Sequence, residues 1–244
     1  MMKTFIRAVE YWVPGHDRTT LEFGGGLYGS AKRFGALSKG MVFGRGEGLP
    51  GRAWAERQPL IFKDLRAPAF MRALAAAAEG LTCGIALPIF AGDILTSVLV
   101  IFCGDDDAHA GAIELWRNDP ATPRELNLAD GYYGSTGDAF EIVSRSTSLR
   151  SGHGLPGMAW EAGMPVFVED LGRSQRFLRA DSAVKVGINR GFALPGRCAT
   201  ARWRRHAHRR RRRRSRAPRS GCRRRRSATR CRRSGLRRLR PGRA

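Results

Sequence analysis

Apolar positions cluster at strand-like spacing in Arg7–Val13 and in Thr20–Leu27, and the turn residues Pro14-Gly15-His16-Asp17 lie between them. The pattern predicts two strands joined by a turn. A short helix is expected to begin at Pro50, because proline lacks an N–H and suits the first helical position. Trp54 follows four residues later on the face that turns inward. Leu60–Lys63 predicts a strand, and Pro68–Glu79 an Ala-rich helix with Phe70, Leu74 and Ala77 or Ala78 on one stripe, stopped by Gly80. Thr82–Phe90 and Leu95–Phe102 predict two further strands around Ala91-Gly92-Asp93. The order ββ–α–β–α–ββ gives an α+β fold with an antiparallel sheet.

The pattern then recurs. Gly48-Leu49-Pro50-Gly51-Arg52-Ala53-Trp54 returns as Gly154-Leu155-Pro156-Gly157-Met158-Ala159-Trp160, 106 residues later. Asp64-Leu65 matches Asp170-Leu171, Phe70 matches Phe177, and Gly84-Ile85-Ala86-Leu87-Pro88 matches Gly191-Phe192-Ala193-Leu194-Pro195. Upstream, Val9-Glu10-Tyr11-Trp12 matches Ile113-Glu114-Leu115-Trp116, and Tyr28-Gly29-Ser30 matches Tyr133-Gly134-Ser135. A period this long makes each copy a domain. Copy one is expected over 1–104, an acidic linker over 105–111 and copy two over 112–196. In copy two Ala112–Arg117 and Glu125–Tyr133 predict the strand pair and Ser174–Val186 the later helix. Copy two has no counterpart of Leu95–Phe102, so a strand edge is expected to be left unpaired and apolar surface uncovered.

The glycine-rich GLPG turn into a helix, the strand ending in Asp-Leu, and the pair GIALPI…GDILTSVLVIFCG together resemble the GAF domain, a small-molecule sensory module. The resemblance spans about Arg7–Gly104 and Ala112–Pro195. It implies a six-stranded antiparallel sheet with helices on both faces and a pocket between sheet and loops. It also implies a regulatory, non-catalytic role in signal transduction, with a small-molecule ligand and an output partner or homodimer. It names no cofactor and no ligand.

Charge changes the picture only at the C-terminal end. The formal net charge is +23, yet all 21 acidic residues lie between Glu10 and Asp181 and are matched by 21 Lys or Arg through Gly196. The excess is carried by 197–244, where 23 of 48 residues are Arg and none is Lys, Asp or Glu. Such a tail cannot bury a core and is expected to be disordered. One reading makes it a nucleic-acid-binding arm that neutralises phosphates. The favoured reading is a shifted, GC-rich frame translated past Pro195, which accounts for the abrupt onset, the absence of Lys and the missing strand together. Nucleic acid is thus a partner only if the tail is authentic. No run approaches the ~20 apolar residues of a membrane span, no signal peptide is evident, and cysteines are too few for a disulfide framework, so a cytoplasmic protein is expected.

The pocket implied by the resemblance would be lined by Phe43, Arg52, Trp54, Phe62, Phe70 and Cys83. Arg52 could meet an anion, but a solvated helix face is the ordinary explanation, and Met158 stands at the equivalent place. Trp54 could stack on a planar ligand, although its recurrence as Trp160 fits a core role. Cys83 is not repeated, since Arg190 holds that position. With Cys103 it would be the resource of a GAF-fold free methionine sulfoxide reductase, a reading set aside because neither has a His or Lys close in sequence to lower its pKa. Asp64 and Asp170 suit Asx turns. Asp105-Asp106-Asp107 with His109 reads as a solvated linker, and no catalytic or metal site is predicted.

Overall fold

The computed structural model describes residues 4–106, 110–119 and 122–196, the side chain of Asp119 aside. The Arg-rich segment 197–244 lies outside them, as do Asp107 and His109. The described residues all fall within one compact unit.

Six strands make the sheet of the first half: β1 (Ile6–Pro14), β2 (Thr20–Leu27), β3 (Val42–Gly44), β4 (Leu60–Phe62), β5 (Cys83–Ala91) and β6 (Ile94–Cys103). All neighbours are antiparallel in the order β3-β2-β1-β6-β5-β4, so β6 is central, paired with both β1 and β5. Alternation along β6 divides its side chains between two buried layers. Val98, Val100 and Phe102 face one core with Trp12, Phe34, Phe43 and Leu49. Leu99, Ile101 and Cys103 face another with Cys83, Ile85, Phe5, Ile113 and Tyr132. This two-sided burial explains why β6 reads as a nearly continuous apolar run.

Three helices pack on the first of these cores: α1 (Lys32–Ser38), α2 (Gly48–Glu56) and α3 (Ala73–Ala78). The expectation of helices on both faces is corrected here. The opposite face is covered by Phe5 and by Ile113 and Tyr132 of the second half. The helix expected over Pro68–Glu79 is also shorter. Phe70 is buried ahead of it, and Leu74, placed on the inward stripe by sequence, is 90% exposed. Helix α2 starts at Gly48, two residues before Pro50, which still sits in the first turn, where a missing N–H is harmless. The GLPG motif is explained by close approach: a Cβ on Gly51 would meet the Gly44 carbonyl oxygen at 2.1 Å, and one on Gly157 the Arg150 oxygen at 2.2 Å.

In the second half β7 (Ile113–Asp119), β8 (Thr122–Tyr132), α4 (Gly137–Arg145), β9 (Ser148–Arg150), α5 (Gly154–Ala162), β10 (Val166–Val168), α6 (Ala180–Lys185) and β11 (Gly191–Ala193) follow the order of β1 to β5 and their helices. A 3-10 turn at Gly134–Thr136 precedes α4. The strands form two separate sheets, β7-β8-β9 and β10-β11. Among the described residues no strand stands where β6 stands in the first half.

The halves meet through Lys63–Asp130 (2.7 Å) and the Tyr132 hydroxyl on Thr82 Oγ1 (3.1 Å). Asp105 accepts from Ser135 and Asp106 pairs with buried Arg7 at 2.6 Å, so these two carboxylates are structural contacts rather than parts of a solvated linker. No helix among the described residues is long and apolar enough to cross a membrane.

Candidate ligand site

Inward positions of β1 alternate, so Ala8, Glu10 and Trp12 all enter the helix-side core, which puts a carboxylate in the middle of apolar surface. An isolated buried charge is costly, and the sequence supplies its partners from three other elements. Arg72, just before α3, donates to Glu10 through Nη1 at 2.7 Å and Nη2 at 3.2 Å. Ser38, at the end of α1, donates to Glu10, Trp12 Nε1 donates at 3.1 Å, and the Tyr28 hydroxyl at 3.1 Å. The rings of Phe34, Phe102, Phe70 and Trp12 surround the guanidinium at 4.3–5.9 Å. Arg72 Nε is buried with no hydrogen-bond partner. Burial, ahead of the Glu10 charge, raises the Tyr28 phenol far above its ordinary value.

The same constellation stands in the second half. Arg179 grips Glu114 at 2.6 and 2.8 Å and donates to Ser144, while Trp116 Nε1 donates to Glu114 at 2.9 Å and Tyr133 Oη at 3.0 Å. Three rings surround this guanidinium, those of Phe140, Trp116 and Phe177, at 5.0–5.5 Å. Burial alone would raise the Glu114 carboxyl. The hydrogen bonds and charge of Arg179, with Ser144 and Trp116, outweigh it and hold the group below the ordinary value of 4.5. Sequence reasoning aligned Glu10 with Glu114, Trp12 with Trp116 and Tyr28 with Tyr133, but missed Arg72–Arg179 and Ser38–Ser144. Those pairs were legible in the same register, flanking the matches already drawn.

Of the residues expected to line a pocket, Phe43 and Phe70 are core, with Phe43 edge-on to Trp12 at 4.7 Å. Trp54 and Phe62 are half-buried against that core. Arg52 is exposed, 4.0 Å from Glu56 and 5.6 Å over the Phe62 ring. Phe62 lies 6.1 Å from Phe70, which borders Arg72 at 5.5 Å. A continuous series of contacts therefore runs from exposed Arg52 to the buried ion pair.

Cys83 belongs elsewhere. It lies on the far face of the sheet, directly across from Cys103, and both thiols are free and buried. The hydrogen bond with Cys83 and burial push the Cys103 thiol well above its ordinary value, with Arg7 opposing. Asp64 accepts from the Arg66 amide at 2.9 Å in an Asx turn. A shallow cleft of about 340 Å³ in the second half is lined by residues including His153, Glu161 and Arg176.

No protein-family profile matches the chain, and no curated protein is significantly similar to it. Among solved structures it is similar to the GAF domain of A. aeolicus Nlh2 in an inactive state: 23% identity, 42% of this chain, 60% of that one, TM-score 0.33. A GAF domain from a phosphoenolpyruvate-protein phosphotransferase of Coxiella burnetii matches at 19% identity over 40% of this chain and 56% of that one, TM-score 0.33. The free methionine-R-sulfoxide reductase of Neisseria meningitidis, in complex with its substrate, matches at 18% identity over 42% and 57%, TM-score 0.32. The chain spans a little over half the length of these structures.

Proposed function

We propose that this chain is a regulatory module of the GAF type, built from two copies of one domain, in which copy one receives a small molecule and copy two lacks its central strand. The reading is supported by the resemblance of the GLPG and GIALPI…GDILTSVLVIFCG segments, and by the six-stranded antiparallel sheet they build. The observation that carries it furthest is the contact path Arg52–Phe62–Phe70–Arg72–Glu10, which joins solvent to the centre of the core. A small planar anion lodged between α2 and β4 would meet Arg52 with its charge and Phe62 with its face. Because side chains fill the space beneath, binding must shift the packing of Phe62 and Phe70, and any output is a population shift set by differential affinity. The burial of both thiols favours a sensing role over cysteine chemistry.

Thermal shift and calorimetry of the full chain against a set of small anions, with nucleotides, oxo-acids and nitrate among them, test this. At least one is expected to raise the melting temperature, and Arg52→Ala, a change on an exposed helix face, is expected to remove that rise while leaving the unliganded protein folded. A set in which nothing binds, or binding indifferent to Arg52→Ala, overturns the proposal.

A further inference from the structure

Strands β5 and β6 bring Cys83 and Cys103 opposite each other on the sheet face away from the helices. Directly opposed residues of antiparallel strands have Cα atoms roughly 4.5–5.5 Å apart, inside the span of a disulfide. Both thiols are free and buried, and they share a hydrogen bond. A cation is built in beside them. The register of β1 against β6 slips between Ile6, opposite Cys103, and Ala8, opposite Phe102, so Arg7 is the extra residue of a bulge. Its side chain is only 6% exposed and pairs with Asp106 at 2.6 Å. Its Nε, beside Gly104, is buried with no hydrogen-bond partner. An anionic sulfur on Cys103, the residue before Gly104, would meet that unspent charge.

The cover over this pair comes from the second half. Ile113 of β7 and Tyr132 of β8 pack on the cluster that holds both cysteines, together with Phe5. The Tyr132 hydroxyl donates at 3.1 Å to Thr82, the residue before Cys83. Burial, ahead of the charges of Cys83, Asp105 and Cys103, raises the Tyr132 phenol above its ordinary value, so the phenol is a near neighbour of both sulfurs.

We propose that Cys83 and Cys103 are a peroxide-sensing dithiol, latent while the second half covers them and closed to a disulfide when that cover lifts. With the cover seated, the shared hydrogen bond and burial keep Cys103 protonated, and the charge of Arg7 opposes them. Water entering the joint weakens the burial penalty and leaves Arg7, which belongs to the first half, to favour the Cys103 thiolate. That thiolate attacks hydrogen peroxide: an S–O bond forms, the O–O bond breaks, and the leaving hydroxide takes up the thiol's proton as water. The Cys83 sulfur then attacks the sulfenic sulfur. The S–S bond forms, the S–O bond breaks, and the hydroxyl leaves with the Cys83 proton as a second water. Two thiols are oxidised and one peroxide is reduced. Thiols this deeply buried are unsuited to turnover with a substrate, but a single closure requires only occasional local opening.

The full chain, reduced and freed of reductant, is exposed to hydrogen peroxide, then denatured, alkylated and digested with trypsin. No Lys or Arg lies between Arg72 and Arg117, so one peptide, 73–117, carries Cys83 and Cys103 and excludes Cys198, Cys222 and Cys231. It is expected to lose two hydrogens and take up no label, and to regain both label sites after dithiothreitol. With dimedone present, Cys83→Ser is expected to be trapped at Cys103, and Cys103→Ser not to be trapped at Cys83. Tyr132→Phe keeps the ring and removes one hydrogen bond across the joint, so closure is expected to run roughly three- to tenfold faster. Two alkylatable thiols in wild type, separate over-oxidation of each sulfur, the reverse dimedone pattern, or an unchanged rate in Tyr132→Phe overturns the proposal. Closure does not depend on the anion site: Arg52→Ala is expected to leave its rate unchanged.

Discussion

Glu10 and Glu114 are the residues on which the two cores turn. Each is a carboxylate set among rings and held by one arginine, one serine, one tryptophan and one tyrosine. Removing one partner of such a pair leaves a buried charge uncompensated, so the set behaves as a unit. At Glu114 the native carboxyl lies below its ordinary value of 4.5, so its stabilisation is complete above about that pH and is lost as pH falls through the depressed native value. Urea denaturation of the full chain is expected to show stability falling below pH 4.5. Glu114→Gln should be less stable than wild type at neutral pH and should converge on it in acid. A variant whose stability keeps the wild-type pH dependence contradicts this role for the carboxylate.

At the scale of elements, the GLPG turn shows how a motif can be structural and still diagnostic. Gly51 and Gly157 let a helix approach a backbone carbonyl so closely that a Cβ would lie about 2 Å from its oxygen. Gly51→Ala and Gly157→Ala are therefore each expected to cost about 1–3 kcal/mol in denaturant unfolding. Losses below a few tenths would mean the helix has room to withdraw. Although the three-residue strands β3 and β9 went unpredicted, strands β1, β2 and β4 to β8 and this turn were legible in the sequence because their apolar runs and glycines are strong local signals. Helices α1 and α4 were not. Lys32–Ser38 has only Phe34 and Leu37 as large apolar residues and carries Gly35, where Tyr28 packs so closely that a Cβ would lie 2.5 Å from its ring. Leu74 was misplaced because α3 is barely more than a turn and does not sustain a helical stripe. Cys83 was misassigned for a different reason: period two put it in a strand, but sequence gave no sign of which sheet face the helices cover.

At the scale of the whole molecule, the described residues of the two halves differ by one strand, and in the first half that strand is at the centre of the sheet. The first half buries Trp12, Glu10 and Arg72 beneath β6. Among the described residues, the second holds Trp116, Glu114 and Arg179 beside an edge with no such strand. Polypeptide that lacks paired edges and a sealed core opens locally at lower free energy. Hydrogen exchange across the full chain tests this account most directly. Amides of β1, β5 and β6 should be the slowest. Those of β7 not bonded to β8, and those of β10 and β11, should exchange markedly faster under the same conditions. Equal protection of β7 and β11 with β1 and β5 would contradict it, and would mean that the second sheet is already complete.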